Sequence, residues 1–138
     1  MILRENTGEN INTPAQVAAL LHDLIDVEQE IDRDKEHFWT IGLDVRNTVK
    51  FIDLVSLGIL TSSVIHARET FRLAIMKAVN SIIIAHNHPS GCLEPSREDI
   101  AVTTKLKDAG AILGIAVRDH VIIDNNGGFV SLAMRGDW

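Results

Sequence analysis

The stretch Ser81-Ile82-Ile83-Ile84-Ala85 constrains the fold of this chain more than any other. Three consecutive isoleucines break the apolar–polar alternation of a half-exposed strand and read as a strand buried on both faces. Two histidines and a proline follow directly, as His86-Asn87-His88-Pro89. Pro89 forbids an immediate helix, so the chain turns away at the end of that strand.

Cover for the strand is available at helical spacing. Thr13-Pro14-Ala15-Gln16 reads as a helix start: Thr13 caps, Pro14 suits the first helical position, and Gln16 completes a capping box. Val17, Leu20, Leu21, Leu24 and Ile25 then form one apolar face. A second helix is expected over residues 67–79, with Phe71, Ala74, Ile75, Ala78 and Val79 on one side. A third opens at Ser96 and ends at Gly110, a suitable C-terminal cap.

Residues 36–45 alternate. Trp39, Ile41, Leu43 and Val45 point one way, Phe38, Thr40, Gly42 and Asp44 the other. Arg46-Asn47-Thr48 reads as a turn, and residues 49–60 as the returning strand with Gly58 as a bulge or bend. Residues 112–117, 120–123 and 129–132 read as further strands, the last two separated by the turn Asn125-Asn126-Gly127-Gly128. Residues 1–12 read as a polar, frayed tail, and 13–138 as one domain. The expected order is α-β-β-α-β-α-β-β-β, an α/β domain with a mixed sheet flanked by helices.

Composition narrows the function classes. The 138 residues are 46% hydrophobic, enough for one core, with no tyrosine and few aromatics. The net charge of −6 and the absence of a Lys/Arg run argue against strong autonomous nucleic-acid binding, which depends on cations that neutralise phosphates. Cys92 is the single cysteine; it excludes an intrachain disulfide and fits a reducing compartment. No apolar stretch approaches the ~20 residues of a membrane span. The N-terminus also lacks the apolar core of a signal peptide, so a cytoplasmic location is expected.

The chemistry is concentrated between His86 and Asp99. Two histidines two residues apart on an extended strand project to the same side and can chelate one metal ion. The loop after them, rich in Pro, Gly and Ser, can fold back so that Asp99, in the first turn of the next helix, faces the strand end. Two imidazoles and one carboxylate leave a coordination position free for water, as catalytic zinc sites do. Zinc lowers the pKa of that water toward ~7. Each member also has a plainer reading. An isolated His-x-His is weak, and Ser96-x-x-Asp99 is a capping box on its own terms.

His86-x-His88 followed by Ser96-x-x-Asp99 resembles the JAMM metalloprotease pattern. The fuller string from His86 to Gly91, then Pro95-Ser96-Arg97-Glu98-Asp99, resembles the signature of the RadC-like branch of JAB/MPN domains. The flanks are similar too: Ser81 to Ala85, Leu113-Gly114-Ile115, Asp119 to Ile123 and Val130-Ser131-Leu132. The likeness covers residues 13–138. It implies a JAMM/MPN (cytidine-deaminase-like) architecture and a zinc metallopeptidase-like hydrolase. One Zn2+ per chain would be held by His86, His88 and Asp99, and a peptide or isopeptide would be the substrate. It places Glu36, just before the first expected strand of the domain, as general base, and it gives Ser96 an oxyanion-stabilising role. Glu69 is the rival carboxylate.

Two departures stand out. RadC-like proteins often carry a helical DNA-binding-type segment before this domain, and none is expected within residues 1–12. Cys92 stands where a polar or acidic residue is usual, and it reads as an ordinary loop cysteine. Two other classes remain open: a non-catalytic MPN binding module, and a DNA-repair-associated protein or nuclease. The intact ligand set argues against the first and the acidic balance against the second. His120 reads as structural or as a support for a ligand. His22, His37 and His66 have no motif support.

Overall fold

The computed structural model describes residues 1–58, 60–136 and 138. Its elements run β1 (Ile2–Glu5), α1 (Pro14–Asp26), α2 (Glu30–Arg33), β2 (His37–Leu43), β3 (Val49–Leu57), α3 (Ala67–Thr70), α4 (Arg72–Met76), β4 (Ser81–Asn87), α5 (Arg97–Leu113), β5 (Ala116–Ile123), β6 (Phe129–Ser131) and α6 (Leu132–Arg135). The six strands form one sheet in the order β1-β3-β2-β4-β5-β6. Only β4 and β5 pair in parallel; the other pairs are antiparallel. This is the mixed sheet flanked by helices that the sequence leads one to expect. No helix among the described residues is long and apolar enough to cross a membrane.

The triple isoleucine explains the layering. On β4, Ile83 and Ala85 face a core shared with Val17, Leu21, Leu24 and Ile25 of α1 and with Trp39 and Ile41 of β2. Ile82 and Ile84 face the opposite core, with Phe71, Leu73, Val102 and Leu106 from α3–α5 and their junctions. A strand sandwiched this way is apolar on both faces. β2 is buried along its whole length as well: Trp39, Ile41 and Leu43 face the first core and Phe38 the second. Val45, expected to extend the first set, is exposed in the turn.

Several boundaries differ from expectation. Residues 2–5, read as part of a polar tail, form an edge strand on β3. Two apolar side chains in four residues were too faint a signal; the backbone pairing with β3 supplies the rest. The strand expected over 49–60 ends at Leu57. Gly58 follows with a positive φ of 133°, and residue 59 lies outside the described residues. The single helix expected over 67–79 is broken at Phe71, which ends α3 and starts α4. Leu73 is buried there, and Ile75 is exposed.

The helix expected to stop at Gly110 continues to Leu113 and is capped by Gly114, at φ 74°. Gly110 is instead a point of close approach, where an added Cβ would lie 2.4 Å from the Ile115 carbonyl oxygen. As a result residues 112 and 113 are helical, and 116–123 form one continuous strand. Leu132, expected at the end of the last strand, opens α6. The cap of α1 is as the sequence predicts, with a full Thr13–Gln16 box.

Candidate metal centre

β4 continues through His86 to Asn87, and the His88 amide still donates to the Ile123 carbonyl at 2.8 Å. The extended geometry therefore carries past the second histidine, and both imidazoles project toward the side of the sheet covered by α5. β4, α5 and β5 form the parallel crossover unit of the sheet. The N-terminus of α5 accordingly returns to the C-terminal end of β4, where crossover folds place their ligand sites.

There Asp99 meets the histidines. His86 Nε2 lies 3.0 Å from Asp99 Oδ1, and His88 Nε2 lies 3.1 Å from Asp99 Oδ2. The two Nε2 atoms are 2.8 Å apart. One ligand atom from each of the three residues falls within 4.8 Å of the others. His86 and Asp99 are buried, and His88 is partly open to the cleft.

Asp99 has two roles at once. Its Oδ2 accepts from the Ser96 amide at 2.7 Å, and its own amide donates to Ser96 Oγ at 3.1 Å. The capping box and the metal-type cluster, which compete as readings of the sequence, coexist because the box engages Oδ2 and leaves Oδ1 toward His86. Burial alone would raise the Asp99 pKa, but its contacts with the His86 and His88 rings outweigh it and hold the carboxylate far below its usual range. The same contact raises the pKa of His88, against burial and with help from the Cys92 carbonyl. Burial lowers that of His86, partly opposed by Asp99.

His88 Nδ1 lies 2.6 Å from the Cys92 carbonyl oxygen. A carbonyl only accepts, so Nδ1 carries a proton, and whenever the ring is neutral its Nε2 is bare toward Asp99 and His86. Lone-pair atoms directed at one another in a buried place need a proton or a metal ion between them. Two imidazole nitrogens and a carboxylate are a donor set that zinc takes in sites with a position left free. The residues present fit that ion. Cys92 is exposed, and it contributes its carbonyl, not its thiol, to this arrangement.

Glu36 and Ser96 open onto the same cleft, together with Leu60, His88, Pro89, Ser90, Cys92, Glu94 and Asp99. The antiparallel register explains Glu36. Phe38 pairs with His86, so two residues back along β2 brings Glu36 alongside His88 on the same face. Its Oε2 accepts from the Leu60 amide at 2.7 Å. Glu69, the rival, is exposed on α3 and away from this cleft.

Three supports went unread in the sequence or were read only loosely. Asn87, between the two histidines, accepts from the His37 amide through Oδ1 and donates to the Lys35 carbonyl at 3.0 Å. It thereby clamps both neighbours of Glu36. His37 adds a 2.7 Å contact to Glu28. His120 is fully buried, with its Nε2 2.8 Å from His86 Nδ1, and burial pushes its pKa well down. Thr103 touches His120 in turn at 2.6 Å. Thr103 stands one helical turn after Asp99, the one sequence signal that marks it. His22 binds the Asp124 carbonyl, far from the cluster in sequence.

Residues 11–137 match the family model described as a RadC-like JAB domain. The chain is 43% identical over 137 residues to a UPF0758 protein of Caldanaerobacter subterraneus, covering 98% of this chain and 56% of the relative. It is 47% identical over 126 residues to one of Desulfitobacterium hafniense, covering 91% and 53%. To one of Methanosarcina mazei it is 41% identical over 132 residues, covering 96% and 55%. The chain thus spans about half the length of the curated relatives it matches. The mixed sheet with its flanking helices is consistent with a JAB/MPN fold. On this similarity and this fold, the chain belongs to the RadC-like JAB domain family.

Proposed function

We propose that this domain is a zinc-dependent hydrolase of amide bonds, acting on a peptide or isopeptide, with His86, His88 and Asp99 as the ligands of one Zn2+ per chain. The observation that carries the reading is the shared cleft: a carboxylate, Glu36, and a hydroxyl, Ser96, open onto the same space as the three candidate ligands. When bound, zinc would supply Lewis acidity toward water and the substrate carbonyl. The protein side chains do the rest. Glu36 is held through Oε2 by the Leu60 amide, which leaves Oε1 to take a proton from the attacking water and return it to the departing amine. Ser96 Oγ accepts from the Asp99 amide, so its own proton remains free to donate to the oxygen that becomes negative.

The test is hydrolysis of internally quenched peptides and of ε-linked lysine isopeptides by the zinc-loaded protein and by Glu36→Gln. Gln can still accept from the Leu60 amide but cannot take the proton. The variant should keep its zinc and lose turnover by at least the 10²–10⁴-fold typical of a general base. Equal turnover in both proteins would overturn the assignment of Glu36, and no turnover on any probe by the loaded wild type would count against the peptidase reading.

A further inference from the structure

We propose that Thr103 and His120 are positioning residues that fix His86 in the tautomer whose Nε2 is bare, so that α5 both supplies one ligand and sets the protonation pattern of another. This rests on the reading of the cluster as a metal site.

The direction of each proton follows from the chain of contacts. Thr103 Oγ lies 2.7 Å from the carbonyl oxygen of Asp99, one turn earlier in α5. The carbonyl cannot donate, so the single hydroxyl proton of Thr103 goes to it. Thr103 Oγ is also 2.6 Å from His120 Nδ1. With its proton already committed, the hydroxyl can only accept there, and His120 carries its proton on Nδ1. The Nε2 of neutral His120 is then bare, and it faces His86 Nδ1 at 2.8 Å. His86 must therefore carry its proton on Nδ1, which leaves its Nε2 lone pair directed at His88 and Asp99.

The relay is enclosed. Thr103 and His120 are buried, and the His120 ring is packed edge-on against Phe38 at 6.4 Å. If the Thr103 hydroxyl pointed the other way, every proton would move one step and His86 Nε2 would be capped by hydrogen. That competing set has a driving force, because Asp99 Oδ1 lies 3.0 Å from His86 Nε2 and would accept that proton. The i−4 bond of Thr103 is what opposes it. Groups that orient a metal-binding imidazole through its other nitrogen typically contribute 10–100-fold to metal affinity.

Two measurements test this. Zinc affinity is read by competition with a chromophoric chelator for wild type, Thr103→Val and Thr103→Ser, with thermal midpoints alongside. Val keeps the shape and removes the hydroxyl. It should weaken zinc binding by roughly 10–100-fold, and Ser should restore it. Wild-type affinity in Thr103→Val would overturn the relay. Independently, long-range proton–nitrogen correlation spectra of the metal-free wild type read the tautomers directly. Nδ1-protonated His86 and His120 are expected, and a proton on His86 Nε2 would overturn the proposal. A wild type that binds no zinc would defeat the reading of the cluster as a metal site, while the spectra would still decide the relay.

Discussion

Ser96 and Asp99 exchange hydrogen bonds across the first turn of α5, amide to carboxylate at 2.7 Å and amide to hydroxyl at 3.1 Å, while the same carboxylate faces both histidines. Fold and site are therefore separable at Asp99 by the choice of substitution. Asp99→Asn keeps an oxygen for the Ser96 amide but loses the anionic ligand. It should fold with nearly the wild-type midpoint and bind little zinc. Asp99→Ala should lose the ligand and also about 0.5–2 kcal/mol of cap stability. Metal analysis should give about one zinc per chain for wild type, with strong reductions in His86→Ala and His88→Ala. Wild-type zinc content in all of these variants would refute the ligand assignment.

Zinc uptake should release a proton near neutral pH. Asp99 raises the pKa of His88 above its ordinary value, so below that raised pKa the metal-free ring carries a second proton, on Nε2, that the ion must displace. Calorimetric titration in buffers of differing ionisation enthalpy reads this directly. The sign for stability follows the same shift. A His pKa raised by folding contributes stability that is fully present below the unfolded value and is lost as pH rises through the folded one. The metal-free protein should thus lose this contribution on going from mildly acidic to alkaline pH. The zinc-loaded protein should not, because the ion replaces the proton. Equal proton release of zero at pH 6 and pH 8 would contradict the raised His88.

Removing bound metal should lower the melting temperature. An ion that binds only the native state stabilises it by about 2.7 kcal/mol when present at a hundred times its dissociation constant. A chelator should therefore shift the midpoint downward in wild type and leave Asp99→Asn unmoved. A chelator shift of the same size in Asp99→Asn would place the stabilising ion elsewhere.

Local chemistry made much of the site legible. The His-x-His spacing on a strand required both rings on one side, and the Ser96–Asp99 spacing is set by one helical turn. The alternation of residues 36–45 placed Phe38 and, by parity, Glu36 on one face. The contacts that orient these groups were not legible, because they join residues distant in sequence. Thr103 meets His120 across 17 positions and Asn87 meets His37 across 50. The edge strand at residues 2–5 was missed for a related reason: its stability comes from pairing with β3, not from its own pattern. At Phe71 a helical period was read through a break, since apolar spacing does not reveal where backbone hydrogen bonds shift.

Gly110 was misread as a cap because glycine ends helices so often, and its actual role makes a sharp prediction. Alanine there would gain up to ~1 kcal/mol in helix propensity. Its Cβ would also lie 2.4 Å from the Ile115 carbonyl oxygen and 3.3 Å from Phe71. The nearest atom is backbone and cannot swing aside, so α5 or the turn into β5 must move. Overpacking of this kind costs typically 1–3 kcal/mol, which exceeds the propensity gain. Gly110→Ala should be net destabilised in urea unfolding, and a rise in the midpoint would show that the turn yields more easily than the geometry indicates.

The domain should bind duplex DNA only weakly, whatever the family name suggests. Thirteen Lys and Arg face nineteen Asp and Glu, and many of the cations are engaged within the fold. Lys105 donates to the Ser62 and Ile65 carbonyls, Lys107 lies 4.2 Å over the Trp138 ring, and Arg135 pairs with Glu94. Lys77 pairs with Glu5, and Lys50 with Asp44. Arg68 and Arg72, spaced i, i+4 in sequence, fall on either side of the helix break at Phe71. They do not share a regular helical face. Affinity grows with the number of phosphates neutralised, and a surface this poor in free cations releases few counterions. The dissociation constant at physiological salt should fall in or above the usual non-specific range of roughly 10⁻⁴ to 10⁻⁶ M. Fluorescence anisotropy with labelled duplex and single strands at several salt concentrations measures it. Nanomolar binding that persists at physiological salt would put a nucleic acid, not a peptide, first among the substrates to test at the His86–His88–Asp99 cluster.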